Sequence, residues 1–290
     1  MALSPEEIAK QGRFAQTYAR SQIPVILSVE RRVCGCDYGG NSLTTRDEAR
    51  QMAKLLGLQP GIRLLDVGAG AGWPGLYIAK ETGCEAMLVD LPLSGLQVAN
   101  ERAAKDRILD RCWVAVADGS QMPFRDGSFD AVSHSDILCC LRDKRGVLQA
   151  CRRVIRDSGR MVFTVIWIAP DLSHDDYKRA LEGAPEFAEV ESDYATLLGQ
   201  TGWTVTGCTD VTESYASTIR RQIHADSEFR SELEQLLGAA QFADRQAGWQ
   251  TELGAIEAGL IRRDLFVATP TLGLNAGRTT LTDRCDTQKR

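Results

Sequence analysis

The chain has 290 residues, of which 43% are apolar and 25% charged, and its formal net charge at pH 7 is −5. These values suit a globular chain with a sizeable core, built as one large domain or one domain with an insertion. The acidic balance argues against nucleic acid as a partner, because proteins that bind a phosphate backbone usually carry a basic surface. No apolar run reaches the ~18 residues of a membrane-spanning helix, so no membrane partner is expected.

Residues 1–43 show no strong single period and are predicted to be an N-terminal helical segment. Within it, SPEEIAKQGRFAQTYA predicts a short helix that begins with a capping box of Ser4 and Glu7. The first residues include acidic side chains and lack the apolar core of a secretory signal. This pattern predicts a cytoplasmic protein.

Residues 44–270 are predicted to form one α/β domain. TTRDEARQMAKLLG predicts a helix with a capping box of Thr45 and Glu48, ended by Gly57. Strand signals then alternate with helix signals, and the predicted strands are IRLLDV, EAMLVD, CWVAVA, SFDAVSH and GRMVFTVIWI. A helix, DKRGVLQACRRVIR, is predicted before the last of these strands, which is almost entirely apolar, as expected of a strand covered on both faces. Such alternation predicts a parallel sheet with helices on both sides.

The pattern changes after Pro170. Residues 171–201 are predicted to be helical with a break near Gly183, and GWTVTGCTDV is predicted to be a sixth strand. A helical insert is predicted over residues 213–260, and RRDLFVATP closes the pattern as the last strand. Residues 271–290 have little apolar content and are predicted to be a disordered tail.

The stretch IRLLDVGAGAGWPGLYIAK is predicted to be a strand, a glycine turn and a helix, and two fingerprints fit it. Gly70-Ala-Gly72-Trp-Pro-Gly75 matches the pyrophosphate turn of dinucleotide enzymes. Asp66-Val-Gly68-Ala-Gly70-Ala-Gly72 matches the turn of S-adenosylmethionine enzymes. In both, glycine lets the chain turn sharply and lets a ligand approach the backbone.

The acidic residues distinguish the two fingerprints. Asp90, at the end of the second strand, suits ribose hydroxyls in either case. If the turn begins at Gly70, Asp66 lies inside the strand, where an unpaired carboxylate costs several kcal/mol. If the turn begins at Gly68, the same carboxylate lies at the carboxyl edge of the sheet, where it can meet a cationic ligand. A further acid, Asp118, follows the third strand and can accept a hydrogen bond from an adenine amino group.

The chain resembles class I S-adenosylmethionine-dependent methyltransferases over roughly residues 40–270. The resemblance is carried, in order, by LLDVGAGAG, LVDLP, ADGSQMPFRDGSFDAV and the pair GWTVTG and RRDLFVA, and MPFRDGSFDAV is similar to the ubiquinone-biosynthesis and small-molecule branch. It implies a Rossmann-like, seven-stranded, mostly parallel α/β sheet with an antiparallel last strand, helices on both faces and a helical lid or insert. It also implies in-line transfer of a methyl group from S-adenosyl-L-methionine to a small molecule. A homodimer is left open.

The resemblance also implies a set of site residues. Gly68, Ala69, Gly70 and Gly72 are implied to line the methionine end of the cofactor, with Asp66 near its amino group. The other implied cofactor contacts are Asp90 and Leu91 at the ribose, Asp118 and Gly119 at the adenine, Ser133 beside the methionine portion, and Tyr38. Tyr18 and Tyr38 belong to the N-terminal segment, which can fold over the cofactor as a lid.

His134 is the first candidate for a general base. It ends the fourth predicted strand, and an imidazole pKa of about 6.5 suits proton transfer near neutral pH. Asp136 and His174 are weaker candidates. A base is needed only if the acceptor must lose a proton, and the alternative for His134 is a hydrogen bond to a neighbour.

Three alternatives stay open. The nine cysteines indicate free thiols that mostly pack in the core, and no metal site is expected, although Cys34, Cys36 and Cys139 leave room for a soft ion such as arsenite. A nicotinamide-dependent oxidoreductase would use the dinucleotide reading of the glycine turn. A sensor would bind the adenosyl cofactor without catalysis.

Overall fold

The computed structural model of the protein describes residues 5–272, which form a seven-stranded sheet and its surrounding helices. The strands are β1 (Arg63–Val67), β2 (Glu85–Asp90), β3 (Cys112–Val116), β4 (Phe129–Ser135), β5 (Ile155–Ile168), β6 (Trp203–Asp210) and β7 (Ile261–Pro270). The helices are α1 (Pro5–Arg20), α2 (Pro24–Val33), α3 (Arg46–Leu56), α4 (Gly75–Thr82), α5 (Leu93–Lys105), α6 (Lys144–Val154), α7 (His174–Gly183), α8 (Tyr194–Gln200), α9 (Thr212–Glu228), α10 (Arg230–Leu237) and α11 (Ala239–Glu257). A short 3-10 helix, Leu138–Cys140, follows β4.

The strand order is β3-β2-β1-β4-β5-β7-β6. β1 to β5 pair in parallel, and β7 is antiparallel to both of its neighbours, β5 and β6. The predicted fold class, a mostly parallel Rossmann-like sheet with an antiparallel last strand, is confirmed. Because the chain runs outward from β1 to β3 and then returns to the other side of β1, a crevice opens beside β1 and β4, where ligands bind in such sheets.

The sheet is buried on both faces. Leu64 and Leu65 are consecutive in β1, are both fully buried, and belong to different hydrophobic clusters. The same holds for Val162 and Phe163 in β5. Side chains alternate between the faces of a strand, so the two clusters lie on opposite sides of the sheet. This explains why β5 reads as a continuous apolar run rather than an alternating one.

Local signals placed most element boundaries well. The predicted capping box of α3 is present, with Thr45 Oγ1 accepting from Glu48 N at 3.2 Å and Glu48 Oε2 accepting from Thr45 N at 2.7 Å. Gly57 ends that helix in the left-handed conformation, with φ of 66°. The helix predicted to run to Arg156 ends instead at Val154, because the chain enters β5 there.

One helix was missed by the sequence prediction, and some predicted features lie outside the described residues. A second N-terminal helix, α2, was not foreseen, because residues 1–43 lack one clear period. Ser4 lies outside the described residues, as does the predicted disordered tail apart from residues 271–272. Within the described part of the chain, no helix combines the length and apolarity that crossing a bilayer requires.

Candidate functional site

A cavity of about 850 Å³ lies at the carboxyl ends of the first four strands. Its floor is formed by residues 66–68 of the first strand and turn, residues 89–92, residues 117–120 and residues 135–137. Side chains of α1 and α2 form one wall, and side chains of α9, α10 and α11 contribute another. The cavity therefore occupies the crevice that the strand order creates.

The glycine turn packs too closely against its surroundings to carry side chains. Gly68 has φ of 72° and Gly70 has φ of 52°, a region that favours glycine. A Cβ added at Gly68 would lie 2.2 Å from Cγ2 of Ile137, and one added at Gly70 would lie 2.4 Å from the hydroxyl of Tyr18. Gly68 thus presents bare backbone to the cavity, whereas Ala69, Gly70 and Gly72 are absent from the lining and Tyr18 covers Gly70.

Asp90 ties the glycine turn to the second strand. Its Oδ2 accepts from the backbone N of Gly70 at 2.7 Å, and its Oδ1 accepts from the N of Leu91 at 2.7 Å. Burial raises the pKa of Asp90 to about 6, and the two backbone hydrogen bonds offset part of this rise. Each carboxylate oxygen has a further lone pair with which it can accept from a ligand hydroxyl.

Asp66 is a buried carboxyl at the end of β1, with an exposed fraction of 2%, and it contributes to the cavity lining. Ser133 Oγ donates to its Oδ1 at 2.6 Å. Its Oδ2 has no hydrogen-bond partner of standard geometry among residues 5–272, although the backbone N–H of Gly75 lies near enough to favour the ionised form. Burial raises the pKa of Asp66 to about 7, Ser133 lowers it, and the charge of Asp90 raises it.

The third strand ends beside the same cavity. Asp118 and Gly119 are both part of the lining. Asp118 Oδ1 accepts from the backbone N of Ser120 at 2.8 Å and from its hydroxyl at 2.9 Å. These bonds fix the orientation of the carboxylate. The structure therefore brings the acids at the carboxyl ends of the first three strands to one cavity.

His134 does not line the cavity, contrary to its predicted role as a general base. Its ring is fully buried, stacks on Phe163 with 4.4 Å between the ring centroids, and contributes nothing to the cavity lining. Burial lowers the pKa of His134 to about 3, and neither ring nitrogen has a hydrogen-bond partner in the described part of the chain. Because the ring points into the core beside its neighbour on β5, it cannot meet an acceptor in the cavity. His174, a weaker candidate, begins α7 and is also absent from the lining.

Tyr38 also lies outside the cavity lining, contrary to its predicted role as a cofactor contact. Its hydroxyl donates to Asp106 Oδ2 at 3.2 Å, and the guanidinium of Arg102 lies 3.9 Å from the centre of its ring. These contacts pack Tyr38 against the end of α5. Ser133, in contrast, acts on the cavity only through its hydrogen bond to Asp66.

Tyr18 is the tyrosine of the N-terminal segment that lines the cavity. It is 6% exposed, and burial raises the pKa of its hydroxyl well above its ordinary value, with the charge of Asp90 adding to the rise. α1 is fastened to α5 by the hydroxyl of Ser94, which donates to the carbonyl of Ala15 at 3.2 Å. The first helix thus covers the glycine turn, and its motion as a lid stays a prediction.

A buried ion pair lies beside the cavity, directly after the end of β4. Asp136 lines the cavity in the left-handed conformation, with φ of 54°. Arg263 of β7 is fully buried and donates from Nε to Asp136 Oδ1 at 3.0 Å and from Nη1 to Glu48 Oε1 at 2.8 Å. Sequence reasoning missed Arg263, although an arginine within an apolar strand is itself a sign of a buried partner.

A second missed group comes from the helical insert. Glu252 of α11 lines the cavity, and the hydroxyl of Tyr215, on α9, donates to its Oε1. Burial raises the pKa of Glu252 to about 7, the hydrogen bond from Tyr215 lowers it, and the charge of Asp136 raises it. No local motif marks this glutamate, because its position depends on how two distant helices pack.

The cysteines form no recognisable metal site in the described residues. Cys34, Cys139 and Cys140 contribute to the cavity lining, whereas Cys36 does not. Residues 5–272 contain no group of three or more His, Cys, Asp or Glu side chains that could hold a metal ion. The soft-ion site stays a hypothesis.

Comparison with known sequences points to one family. A profile described as a methyltransferase domain matches residues 65–163. The 27-O-demethylrifamycin SV methyltransferase of Amycolatopsis mediterranei is 30% identical over 205 residues, which cover 69% of this chain and 74% of that relative. Phosphoethanolamine N-methyltransferase 1 of Zea mays is 23% identical over 226 residues, and the match spans 77% of this chain but only 44% of the maize protein.

Solved structures show the same fold. The phosphoethanolamine N-methyltransferase 2 of Haemonchus contortus, in complex with phosphomonomethylethanolamine and S-adenosylhomocysteine, superposes with a TM-score of 0.73 at 19% identity. That match covers 89% of this chain and 60% of the other. At this identity the likeness bears on the fold alone, whereas the Amycolatopsis match, together with the profile, bears on descent. The chain belongs to the class I S-adenosylmethionine-dependent methyltransferases.

Proposed function

We propose that this protein transfers a methyl group from S-adenosyl-L-methionine to a small-molecule acceptor. The observation that carries the proposal is Asp66 Oδ2, a buried carboxylate oxygen without a hydrogen-bond partner of standard geometry in the described residues, at a cavity beside a bare glycine turn. A buried carboxylate is costly unless it is paired, so this oxygen fits a ligand that brings a positive charge. A dinucleotide brings negative phosphates to the turn and would leave Asp66 without a partner.

The lining residues fit the whole cofactor. Asp66 would face the ammonium group, and the backbone at Gly68 would lie along the methionine portion. The other predicted residues of the turn, Ala69, Gly70 and Gly72, are absent from the lining. Asp90 would accept from the ribose hydroxyls, with Leu91 beside it. Asp118 and Gly119 would contact the adenine. When bound, the cofactor supplies an electrophilic methyl group on a sulfonium.

The chain itself would contribute positioning and the exclusion of water. Transfer requires the acceptor atom to approach the methyl carbon in line at about 3–3.5 Å. Side chains of α1 and α2 and of α9 to α11 all line the cavity, and this enclosure favours a fixed approach. A volume of about 850 Å³ suits a cofactor together with a small molecule. The net charge of −5 gives no support to a nucleic-acid acceptor.

A binding experiment tests the proposal. Calorimetric titration with S-adenosylmethionine, S-adenosylhomocysteine and NADH should show binding of the two adenosyl compounds only. Asp90→Asn should weaken that binding by at least about tenfold, because one charge-assisted hydrogen bond contributes about 1.5–3 kcal/mol. Exposed Asp47→Asn is the matched control, since Asp47 pairs with Arg50 on the surface of α3.

A transfer experiment then separates catalysis from sensing. The protein is incubated with methyl-labelled S-adenosylmethionine and a metabolite extract, and products are identified by mass spectrometry. A labelled small molecule supports the proposal. Binding of NADH would favour the oxidoreductase, and tight cofactor binding without any labelled product would favour the sensor.

A further inference from the structure

Carboxyl groups line two parts of the cavity. The carboxylates of Asp66 and Asp90, at the ends of β1 and β2, and of Asp118, just after β3, line the space proposed for the cofactor. On the other side, Asp136 follows β4, and Glu252 projects from α11. Asp136 is already paired with Arg263, whereas Glu252 makes no ion pair with any described residue. Glu252 is therefore a carboxyl group of the acceptor side that the cofactor leaves unused.

We propose that Glu252 is the general base of the methyl transfer, and that the acceptor is a small molecule whose nucleophilic atom is a hydroxyl oxygen or an amine nitrogen carrying a proton. The proposal rests on the function proposed above, and it adds the class of acceptor and the residue that receives its proton. Tyr215 is a positioning residue for this carboxylate. Glu252 replaces His134 as the candidate general base, because the His134 ring faces the core.

The geometry holds Glu252 in one place. Tyr215 is fully buried, and its hydroxyl donates to Glu252 Oε1, so the other carboxylate oxygen stays available to a ligand. α7 packs closely against the backbone around Glu252, because a Cβ added at Gly183 would lie 2.6 Å from the Cβ of Ala255 and 3.5 Å from the Cα of Glu252. A base oriented by a neighbouring hydroxyl is the arrangement that general base catalysis requires.

Burial and the neighbouring groups give Glu252 a pKa at which its carboxylate can take a proton near neutral pH. The groups that face it are the Tyr215 hydroxyl from α9, the Asp136 carboxylate after β4, and Arg263 of β7 behind Asp136. α7 meets it at Gly183, which carries no charge. Burial and Asp136 raise the pKa of Glu252 to about 7, where a carboxylate is a stronger base than a solvated one and is still ionised in part.

The proposed step balances in atoms and electrons. A lone pair on the acceptor oxygen or nitrogen forms the new bond to the methyl carbon while the bond between that carbon and sulfur breaks. The electron pair of the broken bond stays on sulfur. The acceptor's proton passes to the carboxylate of Glu252, which then releases it to water through the open side of the cavity. Acceptors without such a proton, a tertiary amine or a thioether, gain nothing from this base.

The test uses the full chain and the product found by the labelled extract. Glu252→Gln should lower kcat by about 100-fold with unchanged affinity for S-adenosylmethionine, since general base catalysis contributes about 10²–10⁴-fold. Glu252→Asp should retain part of the activity. The control is Glu257→Gln, because Glu257 lies on the same helix, has an exposed side chain and pairs with Arg220 on the surface.

The pH profile gives a readout that a merely structural role would not move. In the wild type, kcat should fall as pH drops below about 7, because protonation of Glu252 removes the base. Tyr215→Phe should shift the midpoint of this fall to higher pH, because the hydrogen bond that lowers the pKa of Glu252 is gone. Glu252→Gln should abolish the acidic fall altogether.

The outcomes separate this proposal from the proposed function. A labelled product whose rate and pH profile are unchanged in Glu252→Gln overturns the role of Glu252 and leaves methyl transfer standing. Methylation of an acceptor atom that carried no proton overturns it equally. If the protein binds S-adenosylmethionine and labels no small molecule, the proposed function fails, and the role of Glu252 fails with it.

Discussion

Ser133 and Asp66 face each other across two neighbouring strands, and the serine hydroxyl donates to Asp66 Oδ1 at 2.6 Å. The parallel register of β1 and β4 pairs these two residues directly. One oxygen of the carboxylate is thus satisfied from within the sheet, and Oδ2 is left beside the cavity and Gly75. The strand register therefore decides which oxygen can meet a ligand.

We expect Ser133→Ala to raise the pKa of Asp66 further above about 7, because the lost hydrogen bond favours the ionised form. Binding a cation beside Asp66 then requires loss of a proton. Cofactor binding at pH 7 should therefore weaken by up to about tenfold for each increase of 1 in the pKa of Asp66. Calorimetric titration of S-adenosylmethionine between pH 6 and pH 9 measures this. Ser128→Ala, just before β4, is the control, and an identical pH dependence in both variants would contradict the assignment of Asp66.

Gly75 tests the same carboxylate by steric means. A Cβ added at Gly75 would lie 2.3 Å from Asp66 Oδ2 and 3.0 Å from its Cβ, so either the Asp66 side chain or the start of α4 must shift. We expect Gly75→Ala to lower the free energy of unfolding by about 1–3 kcal/mol, the ordinary cost of overpacking a core. Urea denaturation measures it. The control is Gly254→Ala in α11, where no atom lies within 4 Å of the added Cβ, and where alanine should raise stability by about 0.5–1 kcal/mol.

The fold and the acids at the carboxyl ends of the first three strands were predictable because their signals are local. Alternating strand and helix patterns predicted the sheet, and the family motifs predicted its antiparallel last strand. The position of Asp66 relative to Gly68 selected one glycine fingerprint over the other, and the family membership that this choice implied is confirmed. Asp90 and Asp118 were predictable because the carboxyl ends of parallel strands meet at one edge.

The other residues in and around the cavity were not predictable in the same way. His134 ends a strand, but which face its side chain occupies depends on the sheet's register and on Phe163 beside it. The sequence prediction chose Tyr38 rather than Tyr18 as a cofactor contact, whereas Tyr18 is the tyrosine that lines the cavity and packs over Gly70. Glu252 lies within a helical insert of mixed polarity, and its burial arises from contacts far apart in the chain.

The role of the first helix can be tested through Tyr18. We expect Tyr18→Ala to speed the release of S-adenosylmethionine by roughly tenfold, because the ring that covers Gly70 is lost and a buried aromatic ring contributes a large contact area. Tyr18→Phe keeps the ring and should stay within a few-fold of the wild type. Stopped-flow displacement measures the rates. Tyr38→Phe, which loses the bond to Asp106, should leave release unchanged, and equal effects of Tyr18→Ala and Tyr38→Phe would contradict a covering role.

Stability should depend on pH through Asp66 and Asp90. Their folded-state pKa values, about 7 and about 6, lie above the ordinary value of 3.8, so the folded chain binds these protons more tightly than the unfolded chain. Their contribution to stability is complete below pH 3.8 and is lost as pH rises through 6 and 7. We expect Asp66→Asn to flatten this decline in part, because the variant lacks one of the two carboxyl groups that must lose a proton in the folded core. A group that is protonated when folded and ionised when unfolded contributes a slope of about 1.4 kcal/mol per pH. Urea denaturation of the free protein at pH 5 and pH 8 measures the change, and equal slopes in variant and wild type would contradict it.

Arg263 should be far more important to stability than an exposed arginine. It is fully buried and holds the carboxylates of Asp136 and Glu48 together. We expect Arg263→Met to lower the free energy of unfolding by about 3–5 kcal/mol, because two carboxylates are left buried without a counter-charge. Arg220→Met is the control, since Arg220 pairs with exposed acids on the surface of the insert and such pairs contribute about 0–1 kcal/mol.

A second substitution identifies the cause of that loss. Arg263→Met can lower the free energy of unfolding in one of two ways. If it does so by leaving two negative charges unpaired, then Asp136→Asn in the same chain should restore part of the stability, since one of those charges is removed. If the loss reflects packing of the long arginine side chain, the second change should restore nothing. Urea denaturation of the single and double variants separates the two explanations.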